Sequence, residues 1–471
     1  MVFTVDTHAL SALRDQLQGD TFVPDDDGYD AARSIWNGAI DRKPAVVVRC
    51  ASAADVAAAV RFGRERSLEI AVRGGGHNFG GSGTVQDGLM ISLAAMNEVR
   101  VQPAPRRARC GGGATWANVD NATQAHGLAV TGGFISHTGI GGLTLGGGFG
   151  WLTRMIGLSC DNLVSAEVVT ADGQILTASA EKNPDLFWAL RGGGGNFGVV
   201  TEFEFALHPV GPMLNLGLFF WTVDQGVEAL RLSRQVVPTL PENSGSLIAV
   251  LSAPPAPFVP EKYQLATGYA LLIAGFGSAE EHARLIAPVR EALPPAFELV
   301  TPIPYTGLQS MLDESAPWGA LAYEKSLYLD ELTDPVIDIV TAQTPNKRSP
   351  LSFIPIFDLG GHVAGAYGRV PDDATAFGGS RSARYLFNIA AVAPVPELYE
   401  PDRAWCRTMW QDLTPHSSNT GGYVNFMNEY QEDRVRAAYG ADKYARLAAI
   451  KAKYDPDNIF HLNANIRPAS A

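Results

Sequence analysis

The residues best suited to chemistry in this chain lie in one stretch, Ala71-Val-Arg-Gly-Gly-Gly-His-Asn-Phe-Gly-Gly-Ser-Gly83. Three successive glycines leave backbone N–H groups unshielded by any Cβ, and such a nest holds phosphate oxygens without needing a lysine. Arg73 adds charge at the rim. His77 stands one residue past the cradle, where a cofactor laid along the loop would present its reactive ring. Taken alone the stretch also fits a glycine-rich turn around a satisfied histidine, so its neighbours decide the reading.

A second glycine-dense block spans residues 132–150, Gly-Gly-Phe-Ile-Ser-His-Thr-Gly-Ile-Gly-Gly-Leu-Thr-Leu-Gly-Gly-Gly-Phe-Gly. It has too many glycines for a stable helix and too few polar residues for a solvated linker. Something must approach this backbone closely, and the same cofactor is the expected guest. A third run, Gly193-Gly-Gly195-Asn-Phe-Gly198, is a literal G-x-G-x-x-G. The dinucleotide fingerprint needs a strand before it and a helix after it, so that a helix N-terminus faces the phosphate. Here residues 185–191 read as a helix before the run and residues 199–205 as a strand after it, which argues against a nicotinamide-binding Rossmann unit.

The elements that must position these loops follow from pattern. Residues 69–72 read as a short buried strand that empties into the first loop, and residues 45–49 as the strand before it. Between them Ser52-Ala-Ala-Asp55 is a capping box that opens a helix to about Glu65, with Ser52 accepting from the N3 amide and Asp55 reaching back. This β-α-β unit is followed by more strand, residues 89–93, where a Rossmann unit would place a helix. Residues 164–177 read as a hairpin turning at Asp172-Gly173. From about Pro209 glycine density falls, and strand-like runs such as 214–223 and 385–392 alternate with helical ones.

At 471 residues the chain exceeds what one core usually supports, so two domains, or one carrying a large insertion, are expected. Acidic residues outnumber basic ones, 49 to 36, and no basic stripe carries interleaved aromatics, so nucleic acid is not an expected partner. Neither a leader pattern nor a run of eighteen apolar residues is visible, so no membrane partner is expected and the cytoplasm is the expected compartment. Cys50, Cys110, Cys160 and Cys406 lie far apart, which indicates neither a disulfide framework nor a metal site.

Together these residues resemble the berberine bridge enzyme-like branch of the vanillyl-alcohol oxidase superfamily, with its PCMH-type FAD-binding domain. The resemblance rests on Arg73-Gly-Gly-Gly-His77 with Gly81, and on the block 132–150 with Arg154 and Gly157-Leu-x-x-Asp-Asn162. It continues through Asp185-Leu-Phe-Trp-Ala-Leu-Arg-Gly-Gly-Gly-Gly-Asn-Phe-Gly198, Tyr423-Val-Asn-Phe426 and Lys453-Tyr-Asp-Pro-Asp-Asn-Ile-Phe460, so it brackets nearly the whole chain. It implies an α+β fold: an FAD-binding domain of residues 1–207 and 421–471, and an inserted substrate domain, residues 208–420, of antiparallel sheet backed by helices. His77 matches the family histidine joined covalently to the flavin 8α-methyl. The resemblance further assigns to FAD the residues Arg73, Gly74, Gly75, Gly76, Asn78, Gly81 and Ser82 of the first stretch. From the second block it assigns Thr131, Gly132, Ser136, Thr138, Gly141, Gly142, Gly146 and Gly148, and beyond it Asn162, Val199, Tyr423 and Asn425.

Two departures from the family pattern bear on chemistry. Members with two covalent links carry a cysteine where this chain has Ser136, and a serine cannot form that thioether, so a single link through His77 is expected. Cys160 falls at an unconstrained motif position and reads as a small buried hydrophobe. The second departure is Phe426, at the final position of the family's Tyr-x-Asn-Tyr motif, where a tyrosine often takes up a substrate proton. Phenylalanine cannot. Any base must then come from the sheet face above the flavin, where His362 and Tyr385 are the candidates, with Asp358 and Glu324 behind them. The family's Phe-Pro-His-Arg segment is also altered, to Phe377-Gly-Gly-Ser-Arg381.

The resemblance implies an FAD-dependent oxidase that transfers hydride from a small natural-product-like alcohol, amine or phenol to covalently bound flavin, with or without oxidative ring closure. O2 is the expected acceptor and hydrogen peroxide the product. A dehydrogenase on the same scaffold, a carbohydrate oxidase and a non-catalytic binding protein are the alternatives. The expected partners are the small-molecule substrate and O2, and the expected state is a monomer or homodimer. Aromatic residues of the insertion, among them Phe219, Phe220, Trp221, Trp318, Tyr323, Tyr328, Phe353 and Phe357, favour a flat, apolar substrate over a sugar.

Overall fold

The computed structural model describes residues 6–361, 365–418 and 421–470, and the fold is α+β. Strands Val46–Arg49 and Ile70–Arg73 flank Leu89–Ser92 in parallel, and Asp20–Phe22 adds an antiparallel edge. Helix Ala53–Glu65 packs on this sheet. Ser52 Oγ caps it, accepting the Asp55 N–H at 3.2 Å. Asp55 reaches further back than a capping box requires. Its carboxylate accepts the N–H groups of Ala51, Gln18 and Gly19 at 2.9, 3.0 and 3.0 Å, stapling the N-terminal segment to the helix start.

A second, antiparallel sheet has the order Val99–Gln102, Arg107–Gly111, Val199–Ala206, Leu163–Val169, Ile175–Ser179. Its last two strands form the hairpin expected around Asp172-Gly173, with Val169 opposite Ile175. Helix Pro184–Leu190 leads into the third glycine run, and the C-terminal helices Glu432–Tyr439 and Ala441–Tyr454 share its core. The buried Lys451 fixes that return. Its ammonium donates to Asp455 Oδ2 at 2.6 Å and to the carbonyls of Asn196 and Phe460 at 2.7 and 2.9 Å, a satisfied ion pair that pins the chain end onto the 194–196 loop.

The third sheet has seven antiparallel strands in the order Phe297–Pro304, Met213–Thr222, Thr267–Gly275, Ser244–Ser252, Ile354–Asp358, Tyr385–Ala393, Leu321–Leu329. Strand side chains alternate between faces. Phe219, Trp221, Ile248, Val250, Tyr385, Phe387 and Ile389 face a layer containing helices Gly226–Val236, Asp334–Gln343 and Pro396–Leu413. Leu247, Ala249, Leu251, Asn388 and Val392 instead look onto a cavity shared with the glycine loops. Among the described residues no helix is long and apolar enough to cross a membrane. All four cysteines are buried free thiols, and burial pushes the Cys160 thiol well above its ordinary pKa.

Candidate active site

A cavity of about 740 Å³ runs from the first glycine loop to the inner face of the seven-stranded sheet. At its loop end, Arg73, Gly74, Gly75, Gly76, His77, Asn78 and Ser82 all form the wall. Among the described residues, the N–H groups of Gly74, Gly75, Gly76, His77 and Asn78 have no acceptor. These residues are half-buried and line the cavity, so the row of donors is open to an anionic guest. Arg73 fits the same guest. It is held by the Ala32 carbonyl at 3.1 Å, its Nε is buried without a partner, and burial lowers its pKa. A pyrophosphate would satisfy both sets of donors, which is the fit required of FAD. The loop's shape is fixed by Asn78, whose Oδ1 accepts the Ser82 N–H at 3.1 Å while its Nδ2 donates to Tyr430 OH at 2.9 Å. Gly81 sits at positive φ against Ile40 and serves this turn without lining the cavity.

His77 is held on three sides. Trp36 stacks on it at 5.2 Å and 18°, Trp318 meets it edge-on at 5.9 Å, and its Nε2 lies 2.6 Å from His137 Nδ1. Burial, reinforced by His137, lowers its pKa to about 3, so the imidazole is neutral at physiological pH. Trp36 is itself tied down by its indole N–H, which donates to the Ala316 carbonyl at 2.8 Å, and the adjacent Asn37 donates to the Phe79 and Ala322 carbonyls. Trp36 carries no glycine or motif signal, and His137 lies within the second glycine block with nothing to mark it apart, so only the fold brings them to His77.

The second glycine block behaves differently from expectation. Thr138, Gly141 and Gly142 line the cavity, whereas Thr131, Gly132, Ser136, Gly146 and Gly148 do not. The guest at most of these positions is the protein itself. A Cβ on Gly132 would meet Trp116 at 2.6 Å, one on Gly146 would meet Asn425 Oδ1 at 2.2 Å, and one on Gly148 would meet Leu143 at 2.3 Å. Thr131 Oγ1 donates to the Gly157 carbonyl, and Asn162 bridges the Ile156 and Leu158 carbonyls to His208, so both are structural. Ser136 turns to the insertion: its N–H and hydroxyl donate to the Asp313 carboxylate at 2.7 and 2.5 Å.

The third run lacks a Rossmann fingerprint's flanking elements, yet Gly194, Gly195, Asn196, Gly198 and Val199 all line the cavity. The literal motif was the signal; only its strand-helix context was missing. From the C-terminal return come Tyr423, Val424, Asn425, Phe426 and Asn463. Tyr423 OH accepts from the Gly148 N–H at 3.0 Å and from Asn425 Nδ2 at 2.9 Å, locking this wall to the second block.

The sheet end of the cavity is an aromatic chamber. Phe134 and Phe149 lie 4.9 and 4.8 Å from Phe357, and Phe426 packs at 5.7 Å on Phe149. Of the insertion's aromatics singled out in the sequence, Phe353 and Phe357 reach the wall, Trp318 meets His77 edge-on, and the others lie in the packed cores of the insertion. Tyr385 is a correction. Strand parity puts it on the helix side, 1% exposed, and burial raises its pKa, so it cannot serve the cavity as a base. His362 lies outside the described residues. Asp358 is buried in an ion pair with Arg154, with Arg384 at 3.7 Å. Arg381 is likewise structural, donating to both oxygens of Asp161 at 2.8 and 2.7 Å. Glu324 lies behind the wall and accepts from the cavity-lining Asn388 at 2.9 Å. Full burial holds its carboxyl well above the usual range, and Glu324 Oε1 and Asn388 Oδ1 have no partner among the described residues.

Comparison with known proteins agrees with this geometry. A family model described as an FAD binding domain matches residues 44–179, and one described as berberine and berberine like matches residues 422–467. (R)-6-hydroxynicotine oxidase of Paenarthrobacter nicotinovorans is 31% identical, over 96% of this chain and 97% of that protein. An FAD-linked oxidoreductase of Dictyostelium discoideum is 29% identical over 98% and 97%. The crystal structure of 6-hydroxy-D-nicotine oxidase from Arthrobacter nicotinovorans superposes with a TM-score of 0.84 at 28% identity, covering 96% of this chain and 98% of that one. Xylooligosaccharide oxidase from Myceliophthora thermophila, 22% identical with a TM-score of 0.85 over 98% and 100%, shares the fold. With an orphaned anion cradle, a poised histidine and these relatives, the chain belongs to the berberine bridge enzyme-like family of FAD-linked oxidoreductases.

Proposed function

We propose that this enzyme is an oxidase carrying FAD covalently on His77 alone. It takes hydride from a small, flat, largely apolar alcohol, amine or phenol of natural-product type and uses O2 as acceptor, forming hydrogen peroxide. The observation that carries the reading is a cavity whose one end offers backbone donors with no acceptor among the described residues to a pyrophosphate and whose other end is an aromatic chamber. In this reading residues 1–207 and 421–471 hold the cofactor and residues 208–420 supply the substrate side.

When bound, FAD supplies hydride acceptance and electron transfer to O2. The loop N–H groups of residues 74–78 and Arg73 bind its pyrophosphate, and Trp36 keeps the His77 ring in plane. Phe134, Phe149, Phe357 and Phe426 exclude water and orient a flat substrate, and Asn388 offers it an amide. Besides Arg73 and His77, the ionisable groups in the described wall are Glu314, on its exposed segment, and Tyr423, Tyr430 and Tyr439. All three tyrosines have raised pKa values from burial. This supports a substrate that arrives as a neutral amine or an ionised phenol and needs no protein base.

The test is purified protein. Its yellow colour should stay with the polypeptide after acid precipitation, and His77→Ala should bind FAD but release it on acid treatment. A screen headed by 6-hydroxynicotine, the substrate in the bacterial relative's name, with an oligosaccharide second, should give peroxide at least as fast as it reduces an artificial dye. Dye reduction without peroxide would make the enzyme a dehydrogenase, and wild-type flavin released by acid would refute the covalent link.

A further inference from the structure

His77 makes one side-chain hydrogen bond among the described residues, and its partner is a second histidine. His77 Nε2 and His137 Nδ1 are 2.6 Å apart, with the rings tilted by 41°. His77 Nδ1 has no hydrogen-bond partner among the described residues, and His77 lines the cavity while His137 stands behind it. A neutral imidazole carries one N–H, and its position is set by the bond that the other ring makes. If His77 Nε2–H donates to His137, the lone pair on His77 Nδ1 is free. The opposite arrangement, with His137 donating, would put the proton on Nδ1 and block it.

We propose that His137 is the positioning residue for flavin attachment: it selects the Nε2–H tautomer of His77, leaving Nδ1 as the nucleophile, and takes the Nε2 proton as the bond forms. The inference rests on the covalent reading above. In the balanced step, His77 Nδ1 forms a bond to the 8α-carbon, one C–H bond of that methyl breaks, and its proton leaves to solvent. The second proton leaves His77 Nε2 through His137. The two electrons pass through the cofactor to dioxygen, which with two protons becomes hydrogen peroxide. Trp36, stacked on the His77 ring, prevents the imidazole from turning to offer the other nitrogen. The neutral state that burial imposes on His77 suits a nucleophile.

The experiment follows covalent flavin, not turnover. Wild type, His77→Ala, His137→Ala and His137→Gln are purified, FAD is added, and the fraction of flavin retained by acid-precipitated polypeptide is measured against time. Wild type should be fully covalent, and His77→Ala never covalent though it binds FAD. His137→Ala should bind FAD and attach it about 10²-fold more slowly or worse, the size of a lost proton acceptor. Glutamine, which can accept the Nε2–H but cannot carry its proton away, should fall between. Added imidazole should speed attachment in His137→Ala and leave His77→Ala unattached, a rescue that a merely structural role would not produce. If the alanine variant does not retain FAD, His137→Gln decides. Attachment at the wild-type rate in a His137 variant that binds FAD, or no rescue, overturns the proposal, whereas a wild type without covalent flavin overturns the reading on which it rests.

Discussion

At the cradle end of the cavity five backbone donors and the Arg73 Nε have no partner among the described residues, whereas under the seven-stranded sheet the wall is aromatic and its Asn388 amide donates to Glu324, a carboxyl that burial holds well above its ordinary pKa. The difference separates two kinds of specificity. A row of donors with no described acceptor is matched by one kind of guest, an anion, so the cradle is defined by what it lacks. The chamber lacks little in hydrogen bonding and discriminates by shape and apolarity, which many related molecules can satisfy. A cofactor can therefore be argued from this end of the molecule with much greater precision than a substrate can from the other.

The largest effect should come from closing the cradle. A Cβ on Gly75 would lie 2.3 Å from the Gly139 nitrogen and 2.4 Å from its Cα, so the first and second glycine blocks could no longer cross. Gly75→Ala should accumulate poorly or purify without flavin, read as visible absorbance per mole of chain. Normal flavin content in this variant would mean that the cofactor does not depend on the crossing.

The next test separates glycines that face the cofactor from glycines that face protein. Apart from its chain neighbours and its own helix backbone, no atom of the described residues lies within 4 Å of a Cβ built on Gly142, which lines the cavity in helix Ile140–Leu145. Gly142→Ala should leave the apoprotein as stable or more so, by about 0.5–1 kcal/mol. It should weaken FAD binding at least about tenfold, or 1.4 kcal/mol. Gly146→Ala should do the opposite, because its Cβ would meet Asn425 Oδ1 at 2.2 Å. A loss of about 1–3 kcal/mol in stability, with full flavin content in the folded fraction, is expected from such overpacking. Denaturant unfolding and flavin titration of both variants would show whether the pattern holds or is reversed.

The same contrast explains what could be read from the chain. Arg73-Gly-Gly-Gly-His77 was legible because a run of glycines ending in a histidine has few other uses, and the strand before it follows from its apolar run. The glycines of block 132–150 announced close approach, but glycine does not say what approaches; Trp116, Asn425 and Ser159 were nearly as probable as a cofactor and took most of the places. Trp36 and His137 were invisible because nothing in their spacing links them to His77. Tyr385 failed on parity. The strand was placed within a residue of its bounds, but one residue of register decides which face a side chain occupies, and the helix-facing side was as apolar as the cavity side.

The chamber's neutrality can be tested through Glu324. Between its ordinary pKa of 4.5 and its raised folded value, the folded chain binds one more proton than the unfolded chain. Stability from this group is therefore greatest below pH 4.5 and is lost as pH rises towards the folded pKa. Glu324→Gln, an isostere of the neutral acid, should match wild type near the low end and become relatively more stable by about 1.4 kcal/mol per pH unit above it. Paired denaturant curves across pH would measure this. A pH-independent difference would mean that Glu324 is ionised when folded, and the chamber would then hold a carboxylate able to act as a base.

The smallest effect should come from Phe426→Tyr, which restores the family's residue. The Phe426 ring lies between Phe149, Phe357 and Tyr423, with centroids at 5.7, 6.2 and 5.0 Å. Tyr423 OH is already engaged with the Gly148 N–H and Asn425, so it offers the new hydroxyl no activated partner. No carboxylate among the described wall residues lies beside it to lower its pKa by hydrogen bonding in the ionised form, and burial in this aromatic box would raise it. The anaerobic rate of flavin reduction should thus change by less than about threefold, against the ~10²- to 10⁴-fold that a general base contributes. Its pH profile should follow the substrate's own ionisation in both proteins. A large gain in rate, with a new pH dependence belonging to the enzyme, would show that proton removal limits the reaction on this side of the flavin, and the chamber would have to be redrawn as an acid–base site that has lost its base.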